Sequence, residues 1–398
     1  MFTNLALHGG TPIREKLLPY GRHLIDKDDE QAVLDVLRSE WLTTGPIVPQ
    51  YEQEFADYVG AKYAIAFSSG TAALHGAAFA IGLGPGDEAI TTPMTFVASA
   101  NCILYQGARP IFADVQADTL NINPDEILRQ ITARTRTIIP VDYSGQPADI
   151  DTICEIASRN NLSIIEDAAH ALGATYCGRR VGVLATMTVF STHPVKLIAT
   201  GEGGMVTTDN QSLAKKLRMF RNHGLTTELH ERQIKGGWFY EMAELGYNYR
   251  LSDIQAALGR SQLGKADEWL ARREAIAQHY HQALGGIPTI GLPPLRENRK
   301  SAWHLYVIRL NLQSLRVGRA VIFKALRAEN IGVNVHYIPV HLHPYYQRLG
   351  YHIGECPIAE AAYETLITLP LFPSMTDDDV ADVIKAVRKV TSAFLLEN

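Results

Sequence analysis

The first half of the chain alternates short apolar runs, typical of β-strands, with segments of helical composition. Five runs are rich in Ile, Val or Ala; they cover 63–67, 88–92, 109–115, 137–143 and 162–168. Two further runs lie close together at 187–191 and 204–209. Continuous apolar runs suit parallel strands whose two faces are both covered. The sequence therefore predicts an α/β fold with a mostly parallel central sheet flanked by helices.

Helical segments are expected between and after these strands. They cover 71–82, 96–107, 123–131 and 149–160, with a longer helical region from Leu251 to Leu284. Asn123 and Asp149 stand where N-caps are expected, because a short polar side chain there accepts a backbone N–H.

The last third of the chain has a different pattern. Residues 285–295 are rich in Gly and Pro and indicate a linker, followed by a strand, a helix and a strand at 303–310, 317–331 and 333–340. A final helix is predicted to begin near Thr376, with Asp379 completing a capping box. We therefore expect a large domain over 1–260 and a smaller C-terminal α+β domain over 261–398.

Composition excludes several classes of protein. With 46% apolar residues and a net charge of −5, the chain is unlike a disordered protein. It has no strong positive charge for binding nucleic acid. Its four cysteines are far apart, which fits a reducing compartment, and we find neither a signal peptide nor the roughly 20 apolar residues of a membrane span. We expect a cytoplasmic protein with no nucleic-acid or membrane partner.

A short turn containing Gly70 joins the first strand-like run to the next helix. Its sequence is Ser-Ser-Gly-Thr-Ala over 68–72. A helix N-terminus offers free backbone N–H groups and the positive end of the helix dipole, which together bind phosphate. The Thr71 hydroxyl adds a donor. An ordinary N-cap has the same composition, so the turn alone does not decide between the two.

A carboxylate and a lysine follow at positions where cofactors bind. Asp167 closes a strand-like run, and open α/β sheets bind ligands at the carboxyl ends of their strands, although an N-cap is the alternative. Lys196 precedes the glycine-rich stretch 201–204. A desolvated lysine has a lowered pKa and forms Schiff bases, whereas most lysines are surface charges. A pyridoxal 5′-phosphate (PLP) site requires three parts: a phosphate anchor, a partner for the pyridine nitrogen and an amine for the Schiff base. The turn at 68–72, the carboxylate of Asp167 and the amine of Lys196 could supply them.

Other patterns favour structural roles. Gly82, Gly84 and Gly86 resemble part of a dinucleotide-binding motif but precede a strand instead of following one. Three histidines near the C-terminal strands suggest zinc, yet no H-E-x-x-H pattern accompanies them, so binding or packing roles are favoured; they are His336, His341 and His343. No P-loop motif is present, and we expect no metal site.

Five ordered segments together resemble one known family. They are SSGTAAL (68–74), GDEAITTPMTFVASANCI (86–103), IIEDAAHALGA (164–174), FSTHPVKLIATGEGGMVTT (190–208) and LGYNYRLSDIQAALG (245–259). These segments are similar to those of the nucleotide-sugar aminotransferases, the fold-type I PLP enzymes related to aminohydroxybenzoate synthase. The likeness runs from about Gly9 to the C-terminus and is strongest to the aminotransferases of pseudaminic acid biosynthesis. It implies the PLP-dependent transferase fold of type I.

The resemblance implies a role for each matching residue at the cofactor. Lys196 would form the Schiff base and move a proton during transfer, and Asp167 would pair with the protonated pyridine nitrogen. His170 would lie near the phenolate oxygen, and Phe96 would stack on the ring. The phosphate would be held by Thr71, Ala72 and Ser191.

Further roles implied by the resemblance concern the subunit partner and the substrate. Asn248 and Arg250 would reach the phosphate region of a neighbouring subunit's site, so the family implies a homodimer with shared active sites. His336, Tyr337 and His341 would help to close the substrate pocket.

The implied reaction moves an amino group from L-glutamate, which leaves as 2-oxoglutarate, to the 4-keto group of a UDP-linked 2-acetamido-2,6-dideoxy-hexos-4-ulose. Relatives with histidine at position 196 perform dehydration, so Lys196 favours amine transfer. Two departures from the family leave the sugar open: Thr192 replaces an aromatic residue, and Ala185-Thr186 replaces Gly-Asp. The alternatives are another keto sugar or cyclitol ketone, such as a 3-keto or dTDP-linked sugar, and a PLP-binding regulatory protein without turnover.

Overall fold

The computed structural model describes residues 4–227, 236–294 and 296–396. Nine strands come first in the chain: β1 (Tyr63–Phe67), β2 (Glu88–Thr91), β3 (Arg109–Phe112), β4 (Thr135–Ile139), β5 (Ser163–Asp167), β6 (Thr175–Tyr176), β7 (Arg179–Arg180), β8 (Met187–Ser191) and β9 (Gly204–Thr208). Seven of them form a sheet of order β1-β9-β8-β5-β4-β2-β3. Strands β3, β2, β4, β5 and β8 are parallel, whereas β9 is antiparallel to both of its neighbours. The predicted mostly parallel sheet is confirmed.

Helices cover both faces of this sheet. The first seven are α1 (Lys27–Leu37), α2 (Ile47–Val59), α3 (Gly70–Ala80), α4 (Ala98–Tyr105), α5 (Pro124–Gln130), α6 (Ile150–Arg159) and α7 (Gln211–Arg221). Consecutive strand residues point to opposite faces: Ile138 and Ile164 pack in one apolar cluster, while Ile139 and Ile165 pack in another. Burial on both faces explains why the strands read as continuous apolar runs.

The two predicted N-caps differ. The Asn123 side chain accepts the N–H of Asp125 and caps α5. Asp149 precedes α6 but makes no cap hydrogen bond, because its carboxylate is used elsewhere: it accepts from Gln116 and from Arg299. The prediction that Asp149 caps its helix is therefore wrong.

The remaining elements form the second half of the molecule. They are α8 (Asp253–Leu263), α9 (Ala266–Leu284), β10 (Ile290–Gly291), β11 (Arg299–Lys300), β12 (Tyr306–Leu310), α10 (Arg319–Ala328), α11 (Pro344–Arg348), α12 (Pro357–Tyr363), β13 (Leu366–Leu369) and α13 (Asp377–Ala393). One small sheet has the order β10-β12-β13, and another has the order β11-β6-β7. The single helical region expected over 251–284 is two helices, which break at Gly264 and Lys265.

Two predictions for the C-terminal segment have different outcomes. The capping box at Thr376 and Asp379 is confirmed, since each side chain accepts the other's backbone N–H. The strand expected over 333–340 is wrong: only Asn334 makes a bridge, to Thr368, and the strand that pairs with β12 is β13. All four residues of β13 are buried, whereas the 333–340 segment borders a cavity.

The division into two domains at residue 260 stays a prediction, and that residue lies inside α8. Within the described ranges, no helix is both long enough and apolar enough to cross a membrane.

A buried ion pair joins α2, β1 and α7. Arg221 pairs with Glu52, and both groups also bond the backbone of Ala66. Replacing Glu52 by Gln leaves the buried arginine charge without that carboxylate, which costs about 3–5 kcal/mol. We expect urea unfolding to show this loss for Glu52→Gln. The control is Glu54→Gln, whose partner Arg260 is about one-third exposed, with an expected loss of about 1 kcal/mol or less; equal losses in the two variants would contradict the prediction.

Candidate active site

A cavity of about 570 Å³ opens at the carboxyl ends of the central strands. Asp167 ends β5 and Ser191 ends β8, and these strands are parallel, so the two residues lie at the same edge of the sheet. The start of α3 and the loop around Lys196 also line the cavity. The opposite wall comes from the C-terminal half of the chain and consists of His304, Asn334, Val335, His336 and Tyr337.

Lys196 lies in the loop that follows β8 and faces the cavity. Burial lowers the pKa of Lys196 to about 8; the nearby carboxylate of Asp167 opposes this shift, and the Arg273 guanidinium adds to it. The Lys196 Nζ atom lies 3.4 Å from Nε2 of His304. A lysine with this pKa has a substantial neutral fraction near neutral pH, which is the form that acts as a nucleophile.

Asp167 is a buried carboxylate that two donors hold in place. Its Oδ2 accepts from the Ser99 hydroxyl at 2.6 Å, and its Oδ1 accepts from the N–H of Ala169 at 3.1 Å. Burial raises the pKa of Asp167, while these hydrogen bonds and the charge of Lys196 act in the opposite direction. A carboxylate in this position is stabilised by a cationic partner in the cavity.

Three rings surround the mouth of the cavity. His170 Nε2 lies 3.0 Å from the Tyr337 hydroxyl, and the two rings stack with their centroids 6.0 Å apart. Phe96 is 59% exposed and lies 6.4 Å from the Tyr337 ring. His170 Nδ1 is buried and has no hydrogen-bond partner in the described part of the chain. A flat ligand with polar edges fits these surroundings.

The turn at the start of α3 has the geometry expected for a phosphate site. A Cβ added to Gly70 would lie 3.0 Å from the Ser191 Cβ, so the turn and the end of β8 are in close contact. The first N–H groups of a helix have no intrahelical partner, and Gly70, Thr71 and Ser191 all line the cavity. Ala72 is different, because its N–H is donated to the Ser69 hydroxyl at 3.1 Å and it does not line the cavity.

Besides Ala72, three further site residues expected from the resemblance lie outside the cavity. His341 is fully buried, where its Nε2 pairs with Glu360 at 2.8 Å. Asn248 is exposed, and Arg250 donates to the Asn222 side chain at 2.7 Å. The role of Asn248 and Arg250 in a neighbouring subunit stays a prediction.

The two departures from the family pattern also lie away from the cavity lining. The Thr192 hydroxyl is buried and hydrogen bonds to the Thr200 hydroxyl at 2.6 Å. Thr186 accepts the N–H of Ile164 at 3.1 Å, at the opposite edge of the sheet from Asp167. Neither side chain lines the cavity, so the identity of the sugar that these departures leave open is not decided by direct contact with them.

Sequence reasoning missed several residues that support the site. Ser99, His304 and Tyr20 line the cavity, and Arg273 lies behind Lys196. Ser99 was a small polar residue in an apolar helix, and His304 was a polar residue at the start of an apolar strand; both are weak signals that were available. Arg273, in an amphipathic helix, gave no signal.

Among the residues that the structure describes, no group of three His, Cys, Asp or Glu side chains is arranged to hold a metal ion. His336 hydrogen bonds to Thr368 at 2.8 Å, and His341 pairs with Glu360. These two histidines of the considered zinc pattern therefore have separate protein partners.

The residues present fit PLP. A lysine with a lowered pKa matches the cofactor aldehyde, and a buried carboxylate that favours a cation matches the pyridine nitrogen. At the same cavity, the unpartnered nitrogen of His170 matches the phenolate, and the start of α3 matches the phosphate. Fold and site together define a PLP-dependent transferase of fold type I.

Comparison with known proteins identifies the family. Residues 23–388 match the model of the DegT/DnrJ/EryC1/StrS aminotransferase family, and the chain belongs to that family of PLP-dependent sugar aminotransferases. The spore coat polysaccharide biosynthesis protein SpsC of Bacillus subtilis is 46% identical over 380 residues, which is 95% of this chain and 98% of SpsC. The predictions of an enzyme and of PLP as its cofactor are confirmed.

Solved structures agree with this assignment. Helicobacter pylori PseC, described as an aminotransferase involved in the biosynthesis of pseudoaminic acid, has a TM-score of 0.89 and 33% identity, covering 95% of this chain and 100% of that chain. The putative sugar aminotransferase Spr1654 of Streptococcus pneumoniae in its PLP form has a TM-score of 0.90 and 32% identity, covering 96% and 100%.

The Ser99 hydrogen bond provides a test of the Asp167 geometry. Ser99→Ala removes a donor to the Asp167 carboxylate, which favours the protonated carboxyl and weakens its attraction for a pyridinium. We expect the dissociation constant of PLP to rise about tenfold, measured by loss of cofactor absorbance on dialysis. Ser158→Ala, on the exposed face of α6, is the control and should match the wild type. An unchanged constant in Ser99→Ala would contradict the prediction.

Proposed function

We propose that this protein transfers an amino group from L-glutamate to the 4-keto group of a UDP-linked 2-acetamido-2,6-dideoxy-hexos-4-ulose. The observation that carries the chemistry is the meeting of Lys196, with its lowered pKa, and the buried carboxylate of Asp167 at one cavity. When bound, PLP supplies an electron-accepting ring and the aldehyde that receives the amino group.

The residues of this chain have distinct tasks in that reaction. Asp167 would hold a proton on the pyridine nitrogen through its charge, and the hydrogen bond from Ser99 favours the charged carboxylate and orients it. Lys196 moves the proton at the reacting carbon, for which its neutral form is needed. His170, linked to Tyr337, would orient the ring edge, and Thr71 and Ser191, which line the cavity, would hold the phosphate.

The likeness to PseC supports the choice of sugar. That likeness extends over the whole of PseC, with 33% identity. A second candidate has support of its own, because SpsC is 46% identical and its printed role is in spore coat polysaccharide biosynthesis. This favours a different nucleotide-linked keto sugar as the alternative substrate, with the same cofactor chemistry.

We also propose that the protein works as a homodimer with shared sites. The segment 238–247 carries several large apolar side chains on the surface, with Trp238 83% exposed; the others are Phe239, Tyr240, Met242, Leu245 and Tyr247. A contiguous exposed apolar segment of this kind is typical of a protein–protein interface. Asn248 and Arg250 follow directly, and Tyr249 O accepts the N–H of Ser68 beside the phosphate turn.

The substrate is tested by supplying glutamate and a panel of keto sugars, and by identifying the aminated product by mass spectrometry. We expect the UDP-linked 4-keto sugar to be converted with the highest kcat/KM. Faster conversion of a 3-keto or dTDP-linked sugar, or of a cyclitol ketone, would replace the proposed substrate.

Lys196→Ala tests the central residue of the mechanism. Without the amine, borohydride should no longer fix the cofactor to the chain, and the bound cofactor's absorbance band should shift. We expect kcat to fall by roughly 10³-fold or more. The matched control is Lys215→Ala, an exposed lysine on α7, which should keep wild-type absorbance and turnover. Retained turnover in Lys196→Ala would overturn the mechanism.

Mixing two inactive variants tests the shared site. Lys196→Ala and Asn248→Ala lie on opposite sides of a site that two subunits would build, so a mixed dimer contains one intact site. Random reassociation should restore about a quarter of wild-type activity, whereas each variant alone stays inactive. The control is Ile353→Ala, at an apolar residue that is 74% exposed elsewhere on the surface. Mixed with either inactive variant, it should give no more activity than its own subunits carry. No recovery on mixing would contradict shared sites.

A further inference from the structure

His304 lies against the amine of Lys196, although no site residue was expected there. It precedes β12 and is buried, with its Nε2 atom 3.4 Å from Lys196 Nζ. Its ring centroid lies 4.4 Å from that of His170, and its Nδ1 has no hydrogen-bond partner among the described residues. Of the two ring nitrogens of His304, Nε2 therefore contacts the Lys196 amine, while Nδ1 has no partner among the described residues.

Arg273 holds the backbone on either side of His304. It lies on α9 and is 1% exposed. Its Nη1 donates to the carbonyls of Leu371 at 2.9 Å, Trp303 at 3.2 Å and His304 at 3.4 Å. No carboxylate of the described ranges lies within ion-pair distance of it, so three carbonyl dipoles solvate a buried cation.

These residues share one small space behind the reacting lysine. A narrow cavity is lined by Lys196, Arg273 and His304, together with His170 and Ser191. The buried guanidinium therefore faces the same space as the amine. A cation in low-dielectric surroundings disfavours a second positive charge nearby.

We propose that His304 and Arg273 form a positioning pair behind Lys196. His304 hydrogen bonds to the amine and directs it toward the cavity, while Arg273 fixes His304 and keeps a positive charge behind the lysine. Both act through Lys196: His304 contacts its amine, and Arg273 opposes its positive charge. This inference rests on the proposed function, because the pair acts on the lysine that moves the proton in that reaction.

Other titratable groups face the lysine as well. Asp167 favours its charged form, whereas burial and Arg273 disfavour it. The remaining groups that line the same cavities are Tyr20, His170, His193, Glu202, His304, His336 and Tyr337. Burial lowers the pKa of His170, His304 and His336, so these three are neutral near pH 7. Arg273 is the buried cation among the groups that shift the lysine.

The charge of Arg273 is tested on the PLP-free full chain. Acetic anhydride acylates only neutral amines, and peptide mass spectrometry gives the rate at Lys196 against pH. The wild type should show a midpoint near pH 8. Arg273→Met should move the midpoint upward and slow labelling at pH 7 about tenfold, whereas Arg273→Lys, which keeps the charge, should restore it.

The hydrogen bond of His304 is tested by the rate at which the same chain binds PLP covalently, followed by absorbance. We expect His304→Leu to slow this rate about tenfold and His304→Gln to recover part of it, with the labelling midpoint unchanged. His281→Gln is the control, because His281 packs on Trp303 and Tyr306 without contacting Lys196. Circular dichroism verifies folding of each variant.

Two results would overturn the proposal: an unshifted midpoint in folded Arg273→Met, or a wild-type rate of PLP binding in folded His304→Leu. Both measurements precede turnover. Failure to aminate a keto sugar would therefore refute the proposed function and leave this inference standing.

Discussion

The active site buries an amine and a carboxylate at one edge of the central sheet. Burial pushes both Lys196 and Asp167 toward their neutral forms, but a PLP site needs the lysine neutral and the aspartate charged. Neighbouring hydrogen-bond donors and charges act differently on the pKa of each group. Ser99 and the N–H of Ala169 donate to Asp167, whereas Lys196 has a cation behind it. The same fold thereby lowers the pKa of the lysine and, through hydrogen bonds, opposes the rise in the pKa of the aspartate.

The sheet places these groups because its strands are buried on both faces. Such strands read as continuous apolar runs, which is why β1 and β8 have the bounds that the sequence predicts. Polar residues at the ends of such runs stand out, and Asp167 was found in that way, whereas Ser191 was named only through the family resemblance. The signal weakens for short or edge elements: 333–340 alternates apolar and polar residues like a strand, yet it folds as the wall of the cavity.

Residues that come from far along the chain were the hardest to predict. His336 and His341 are similar in sequence context, but His336 borders the cavity, whereas His341 is buried and pairs with Glu360. Only three-dimensional packing distinguishes them. The same applies to Arg273, whose partners are carbonyls from three separate positions. Backbone carbonyls leave no mark in a sequence, so a residue that binds them cannot be recognised there.

The net charge of −5 bears on the proposed dimer. A nucleotide sugar carries a diphosphate, and the protein as a whole does not attract it. In the described part of the cavity lining, Lys196 is the sole lysine or arginine, and the start of α3 is already suited to the cofactor phosphate. A second anion in the same cavity therefore calls for cationic groups from outside this wall. In the proposed dimer, Arg250, which follows the exposed apolar segment 238–247, would supply such a group to the neighbouring subunit, so the proposal links subunit pairing to substrate charge as well as to apolar surface.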